Sequence, residues 1–321
     1  MSQSFPACNS CTPRGRAGGL WALVVAAVLV ALVGSVWGRD SDVRAEAVRP
    51  PSTDVVVMEV HPHLDHLHAG SVTNITDRDG YDNQPSFMDE DRLLFSSVRG
   101  GEASNIMVHS WSRGTAEVLA DTPESEYSPR LMPSGDAVSV VRVEMDGVSQ
   151  HLVRIALDGG EARRLLPELD DIGYYAWIDE ARVAVWRLGG MLDLANVETG
   201  EVERVAEGVS PGVQAVPRDP MASFVRVEDG EATVYLLDGR SGEVEAVATT
   251  PGGTVEHAWL SSATLLTIHD GVVHRWMGGG EEPWAPVLED LREVHGNFTR
   301  MATSPSGTRW AVVVERDGPG S

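Results

Sequence analysis

The strongest concentration of metal-binding side chains is His61-Pro62-His63-Leu64-Asp65-His66, with His68 two places further on. Imidazole nitrogens and a carboxylate at such spacing suit zinc or a similar divalent ion. His61, His63, Asp65, His66 and His68 are therefore the candidate metal ligands. The run Val55 to Val60 places a strand directly before them.

This HxHxDH pattern resembles the metal-binding signature of the metallo-β-lactamase fold, which implies a catalytic metal centre. That fold also needs layered helices and further histidines in a Gly-His-Thr-type turn, and the chain has neither. No stretch after residue 54 shows helical periodicity over 11 or more residues. The least weak candidate, Pro286 to Val294, is short. The tract is expected to be a polar hairpin loop. A surface divalent metal site, serving a metal-dependent hydrolase or a metal-binding protein, is the alternative.

Other motifs carry less. Gly208-Val209-Ser210-Pro211-Gly212 spells GxSxG. In a nucleophile elbow the residue after serine donates its N–H to the oxyanion, and here that residue is a proline, which has none. Asp77-Arg78-Asp79-Gly80 begins like a calcium loop, but no ligand run continues it, and an Asp-rich turn is expected. Cys8-Asn9-Ser10-Cys11 is a lone CxxC, short of a zinc set.

Composition removes whole classes of chemistry. All 25 basic residues are arginine, so no lysine is available for a Schiff base, a pyridoxal phosphate anchor or a phosphate loop. No cofactor is expected beyond a surface metal. The net charge is −23; residues 1–38 hold two arginines and no acid, so the remainder stands at −25. Such a surface repels phosphate backbones, and no nucleic-acid partner is expected.

Residues 17–38 contain no charge. At 1.5 Å per residue they extend roughly 33 Å, enough to cross a bilayer. Arg14 and Arg16 precede them, which favours a cytoplasmic N-terminus. The expectation is a cytoplasmic tail at 1–16, a transmembrane anchor or signal segment at 17–38, a Pro-containing linker at 39–53, and a domain at 54–318. The chain is then a single-pass bacterial membrane protein with its main domain in the periplasm or outside the cell.

That domain is repetitive. Phe87, Leu131, Trp177, Val216, Trp259 and Thr303 mark equivalent places, 44, 46, 39, 43 and 44 residues apart. Propeller blades have this period. Each mark precedes a polar turn and a β-rich run. Glycine-marked hairpin turns follow in all but the last unit, as at Ser112-Arg113-Gly114, Glu198-Thr199-Gly200 and Asp238 to Gly242. The residue before each mark is Ser86, Arg130, Ala176, Ala215, Ala258 or Ala302, five of them small. Converging inner strands leave room for little else near an axis. The last unit stops at Val314-Glu315-Arg316, so Asp54 to Val60 and Ser71 to Ile75 must complete it. The fold class is all-β: a six-bladed propeller of four-stranded blades, closed by strands from both chain ends.

Gly80-Tyr81-Asp82-Asn83-Gln84-Pro85-Ser86-Phe87 and Pro305-Ser306-Gly307-Thr308-Arg309-Trp310 resemble the TolB-type, WD40-like propeller repeat, which reads roughly D-N-x-P-x-[FW]-S-P-D-G. Met88-Asp89-Glu90-Asp91 departs from the S-P-D-G turn. The resemblance covers residues 54 to 318 and implies a propeller acting as an adaptor, a sensor or an enzyme appendage.

Arg130 breaks the small-residue rule. Either it pairs with a carboxylate such as Glu126 or Glu144, or it faces an anionic ligand or partner at the channel mouth. Tyr127, Tyr174, Tyr175 and His257 fall near equivalent strand starts and complete the candidate ligand site. The leading function is a non-enzymatic binding or scaffold module for a protein or small ligand.

Overall fold

The computed structural model describes residues 51–63, 66–101, 103–157, 162–278, 284–288 and 297–316. The chain divides into two units, Met1–Arg49 and Pro50–Ser321. The first, with the Cys8–Cys11 motif and the uncharged run at 17–38, lies outside the described residues, as does most of the linker.

The chain enters the second unit as β1 (Thr53–His63) and β2 (His66–Asn74). Blade 1 follows as β3 (Asp82–Phe87), β4 (Arg92–Val98), β5 (Ser104–Ser110) and β6 (Thr115–Ala120). Blade 2 is β7 (Ser125–Leu131), β8 (Ala137–Val143), β9 (Gln150–Ala156) and β10 (Arg163–Arg164). Blade 3 is β11 (Ile172–Trp177), β12 (Arg182–Arg187), β13 (Met191–Asn196) and β14 (Val202–Glu207). Blade 4 is β15 (Gln214–Ala215), β16 (Met221–Glu228), β17 (Glu231–Asp238) and β18 (Val244–Thr249). Blade 5 is β19 (Ala258–Ser261), β20 (Thr264–His269), β21 (Val272–Met277) and β22 (Trp284–Leu288). β23 (Asn297–Thr303) and β24 (Arg309–Glu315) begin blade 6, and β1 and β2 finish it.

The closing pair runs from Thr53 opposite Glu315 to Glu59 opposite Arg309. β1 needs apolar residues on both faces, and its sequence supplies them. Val55 and Val57 pack with Leu93 and Phe95 of blade 1. Val56, Met58 and Val60 pack with Leu266 and Val273 of blade 5. The same division recurs: six buried clusters each join two consecutive blades. Burying one such side chain contributes about 1.5–3 kcal/mol, so the ring is held by its inter-blade seams.

In keeping with the lack of helical periodicity, Pro286 to Val294 is not helical where described: β22 continues through Leu288. Among the described residues the helical element is a 3-10 turn, Pro251–Gly253. One expectation needs correction: the histidine tract is not a loop. β1 runs on to His63 and β2 restarts at His66, with His61 opposite His68 and His63 opposite His66. Backbone pairing does not depend on side-chain polarity, so the ladder outlasts the apolar run.

The Asp-rich turn is used by the ring closure. Arg316 Nε donates to Asp54 Oδ2 at 2.6 Å and its Nη2 to Asp77 Oδ1 at 2.9 Å. At the GxSxG motif, Ser210 N donates to Val225 O at 2.8 Å, and strand β15 follows instead of a helix.

Candidate functional site

The six inner strands converge on an axial cavity of about 190 Å³. Ser86, Arg130, Ala215, Ala258 and Ala302 of the small-residue positions line it. So does the residue two places ahead of each such position: Gln84, Ser128, Tyr174, Val213, Glu256 and Arg300. Every blade therefore contributes one side chain at this second level.

Bulges bring several of them inward. Pairing shifts between Asn83 and Ser86 in β3, between Tyr127 and Arg130 in β7, and at the residues before Tyr174 and Arg300. Pro85 and Pro129 lack the N–H that a regular ladder would use. The residues before them, Gln84 and Ser128, take φ of 56° and 52°. Non-glycine residues pay roughly 1–3 kcal/mol for that region, and such strain gathers at functional sites. In β11 the bulge needs Gly173, because a Cβ there would meet Trp186 Cζ3 at 2.5 Å. Trp186 in turn supports the ring of Tyr174, with centroids 5.6 Å apart.

Two arginines dominate the charge. Arg300 of blade 6 crosses to blade 3, on the opposite side of a six-membered ring. Its Nη2 donates to the Tyr174 hydroxyl at 2.9 Å, and its guanidinium carbon stands 5.2 Å from that ring's centroid. Its Nη1 lies 3.6 Å from Glu256 Oε1; the two side chains are 18% and 21% exposed. Burial pushes the Glu256 carboxyl above the ordinary range, against the opposing pull of Arg300 and Arg130.

Arg130 of blade 2 reaches to blade 4. Its Nη2 donates to Val213 O at 3.1 Å and Gln214 Oε1 at 3.2 Å, both neutral. Burial disfavours its charge and lowers its pKa, but a guanidinium stays protonated in proteins. The expected ion pair does not form: Glu126 binds Arg142 at 3.1 Å and Glu144 binds Arg164 at 2.8 Å. Glu126 turns from the inner strand to the second strand, and Glu144, just past the second strand, pairs with the outer one. Gln84 Oε1 accepts from Ser96 Oγ at 3.0 Å and from Ser128 N at 2.7 Å.

Of the residues expected to bind ligand, Arg130 and Tyr174 meet at the cavity. Tyr127 does not line it and packs edge-on against Tyr81, centroids 6.3 Å apart. Tyr175 and His257 belong to inter-blade seams. Tyr175 donates to Ser139 O at 2.6 Å while Trp177 Nε1 donates to Ser139 Oγ at 2.8 Å. His257 Nε2 lies 2.7 Å from Ser223 Oγ, which also receives Trp259 Nε1 at 2.8 Å. These two places repeat one clasp, between blades 2 and 3 and again between blades 4 and 5. Burial pushes His257 down to about 4.

Glu256, Arg300, Gln84 and Gln214 are cavity residues that inspection of the inner small positions missed. The signal was present: Gln84, Glu256 and Arg300 stand two places before Ser86, Ala258 and Ala302. The metal candidates are not assembled by the described residues, which contain no cluster of three or more His, Cys, Asp or Glu able to hold an ion. Asp65, and the side chains of His63, His66 and His68, lie outside the described residues; His61 is exposed.

No family model matches the chain, and no curated protein matches it by sequence. Solved structures do match in fold. A protein described as TolB from Agrobacterium tumefaciens has a TM-score of 0.60 at 12% identity, over 84% of this chain and 99% of that one. TolB from Acinetobacter baumannii has a TM-score of 0.54 at 12% identity; the match covers 84% of this chain and 66% of that longer one. With six four-stranded blades, ends sharing the last, and these neighbours, the chain is a β-propeller of the TolB-type fold.

Proposed function

We propose that the chain is a non-enzymatic binding module, anchored in the membrane through residues 17–38, which presents its propeller outside the cytoplasm to a protein or small ligand at the axial opening. One observation carries the reading: the half-buried guanidinium of Arg130 stands in the axial cavity with neutral hydrogen-bond partners. A cation so placed is suited to recognition. The uncharged run and its preceding arginines support the anchor. Among the described residues no helix is long and apolar enough to cross a membrane.

The test uses the full chain purified from membranes. A panel of hydrolase and lyase substrates is expected to show no turnover, and alkaline washing to leave the chain in the membrane pellet. Turnover abolished by Arg130→Ala overturns the non-enzymatic reading, and release by the wash overturns the anchor.

A second reading, a metal-dependent hydrolase or metal-binding protein, draws on the cross-strand register that sets His61 opposite His68 and His63 opposite His66. Elemental analysis after dialysis decides it. Stoichiometric metal that disappears in a His63→Ala, His66→Ala double variant favours this reading; metal-free protein ends it.

A further inference from the structure

The wall of the axial cavity formed by blades 1 and 2 is rich in donors and poor in acceptors. Arg130 uses Nη2 on blade 4, and its Nε and Nη1 have no protein partner among the described residues. Gln84 commits its amide oxygen to Ser96 and Ser128, which leaves its NH₂ group as a donor. Across the cavity, Arg300 donates to Tyr174 and stands 3.6 Å from the Glu256 carboxylate. With Glu256 ionised, the cavity's two guanidiniums and one carboxylate leave a single positive charge, inside a protein whose net charge is −23.

We propose that this cavity binds the carboxylate of a monoanionic ligand, with Arg130 as charge partner and the Gln84 amide as neutral donor. The inference rests on the binding-module reading and names the ligand class. A single charge matches a carboxylate better than a dianionic phosphate. The planar guanidinium fork matches its two oxygens. The carboxylate belongs to a free organic acid or to the C-terminus of a peptide, and both sources enter the test.

The probes are phenylacetate, phenylacetamide, an N-acetylated tripeptide with a free C-terminus, its C-terminal amide, and inorganic phosphate, all at one ionic strength. Tryptophan fluorescence reports binding, since Trp259 lines the cavity. A saturable response to phenylacetate or to the free-acid tripeptide is expected, with at least tenfold weaker responses to both amides and to phosphate. The stronger of the two carboxylates identifies the source. Arg130→Gln is expected to weaken binding at least tenfold, and Arg164→Gln, at an exposed pair on the outer strand of blade 2, to leave it unchanged. If Arg130→Gln does not fold, Gln84→Glu serves: it keeps the accepting oxygen and places a negative charge beside the site, so it must also abolish the response. No saturable response to either carboxylate, an equal response to the amides, tighter binding of phosphate, or full binding by a folded variant overturns the proposal. Turnover at the cavity sinks the binding-module reading even where carboxylate binding holds; a carboxylate-blind protein without turnover sinks this inference alone.

Discussion

Arg300 Nη2 lies 2.9 Å from the hydroxyl of Tyr174, although the two residues stand 126 positions apart in the chain and on opposite blades. The contact spans the axis and ties the halves of the ring together. Glu256 completes the group at 3.6 Å. Removing the arginine leaves a mostly buried carboxylate without its nearest counter-charge; removing the carboxylate leaves Arg300 its bond to Tyr174. Arg300→Gln is therefore expected to destabilise by roughly 3 kcal/mol and Glu256→Gln by about 1 kcal/mol. Urea unfolding of both single variants and the double variant measures this. Equal effects of the two single variants would show that the carboxylate is stabilised elsewhere.

The serine clasps make a sharper structural prediction. Ser139→Ala removes the acceptor of Trp177 Nε1. An indole N–H stranded in that seam costs about 2 kcal/mol. For a domain of this size the melting temperature is expected to fall by roughly 4–8 °C. Ser223→Ala strands Trp259 Nε1 in the same way and also removes the partner of His257 Nε2, so it should lower the melting temperature at least as much in a calorimetric scan. A change under 1 °C for either would mean that the indole finds water.

His257 ties stability to pH. Its folded value is pushed down to about 4 by burial, from an ordinary value of 6.5. Between those values the unfolded chain binds more protons than the folded one, so acid favours unfolding. This residue is expected to remove up to roughly 3 kcal/mol of stability as pH falls from 6.5 to 4, with no further loss from it below that. In His257→Gln the urea midpoint should vary less with pH across that window than in the unaltered protein. Parallel curves for the two proteins would refute the assignment.

The closing seam separates core packing from surface charge. Trp310 is fully buried between blades 5 and 6, and Trp310→Ala is expected to destabilise by about 3–5 kcal/mol. Arg316 is partly exposed where it reaches Asp54 and Asp77, and Arg316→Ala is expected to alter global stability by less than about 1 kcal/mol. Its effect should be local: faster amide hydrogen exchange at Thr53 to Val57 without a matching rise in blades 2 to 4. Uniformly faster exchange would show that the latch governs the whole ring.

The blade count, the sharing of the last blade and the strand order of the closing seam are legible in the sequence. They depend on local quantities: a period near 43 residues, alternation of side chains, and glycine at hairpin turns such as Gly114, Gly200 and Gly242. The near-continuous apolar run Val55 to Val60 also announces a strand buried on both faces. What the tertiary structure alone decided is which side chains meet on the axis. Arg130 meets Gln214 across 84 residues, and Arg300 meets Tyr174 across 126. No local pattern encodes such a meeting, because it depends on the summed rotation of the intervening blades. The bulges at Gln84 and Ser128 add a second reason: each interrupts simple alternation where inward and outward positions must be told apart. For the same reason Tyr175 and His257, spaced like cavity residues, turn into the seams, where a serine of the preceding blade receives them.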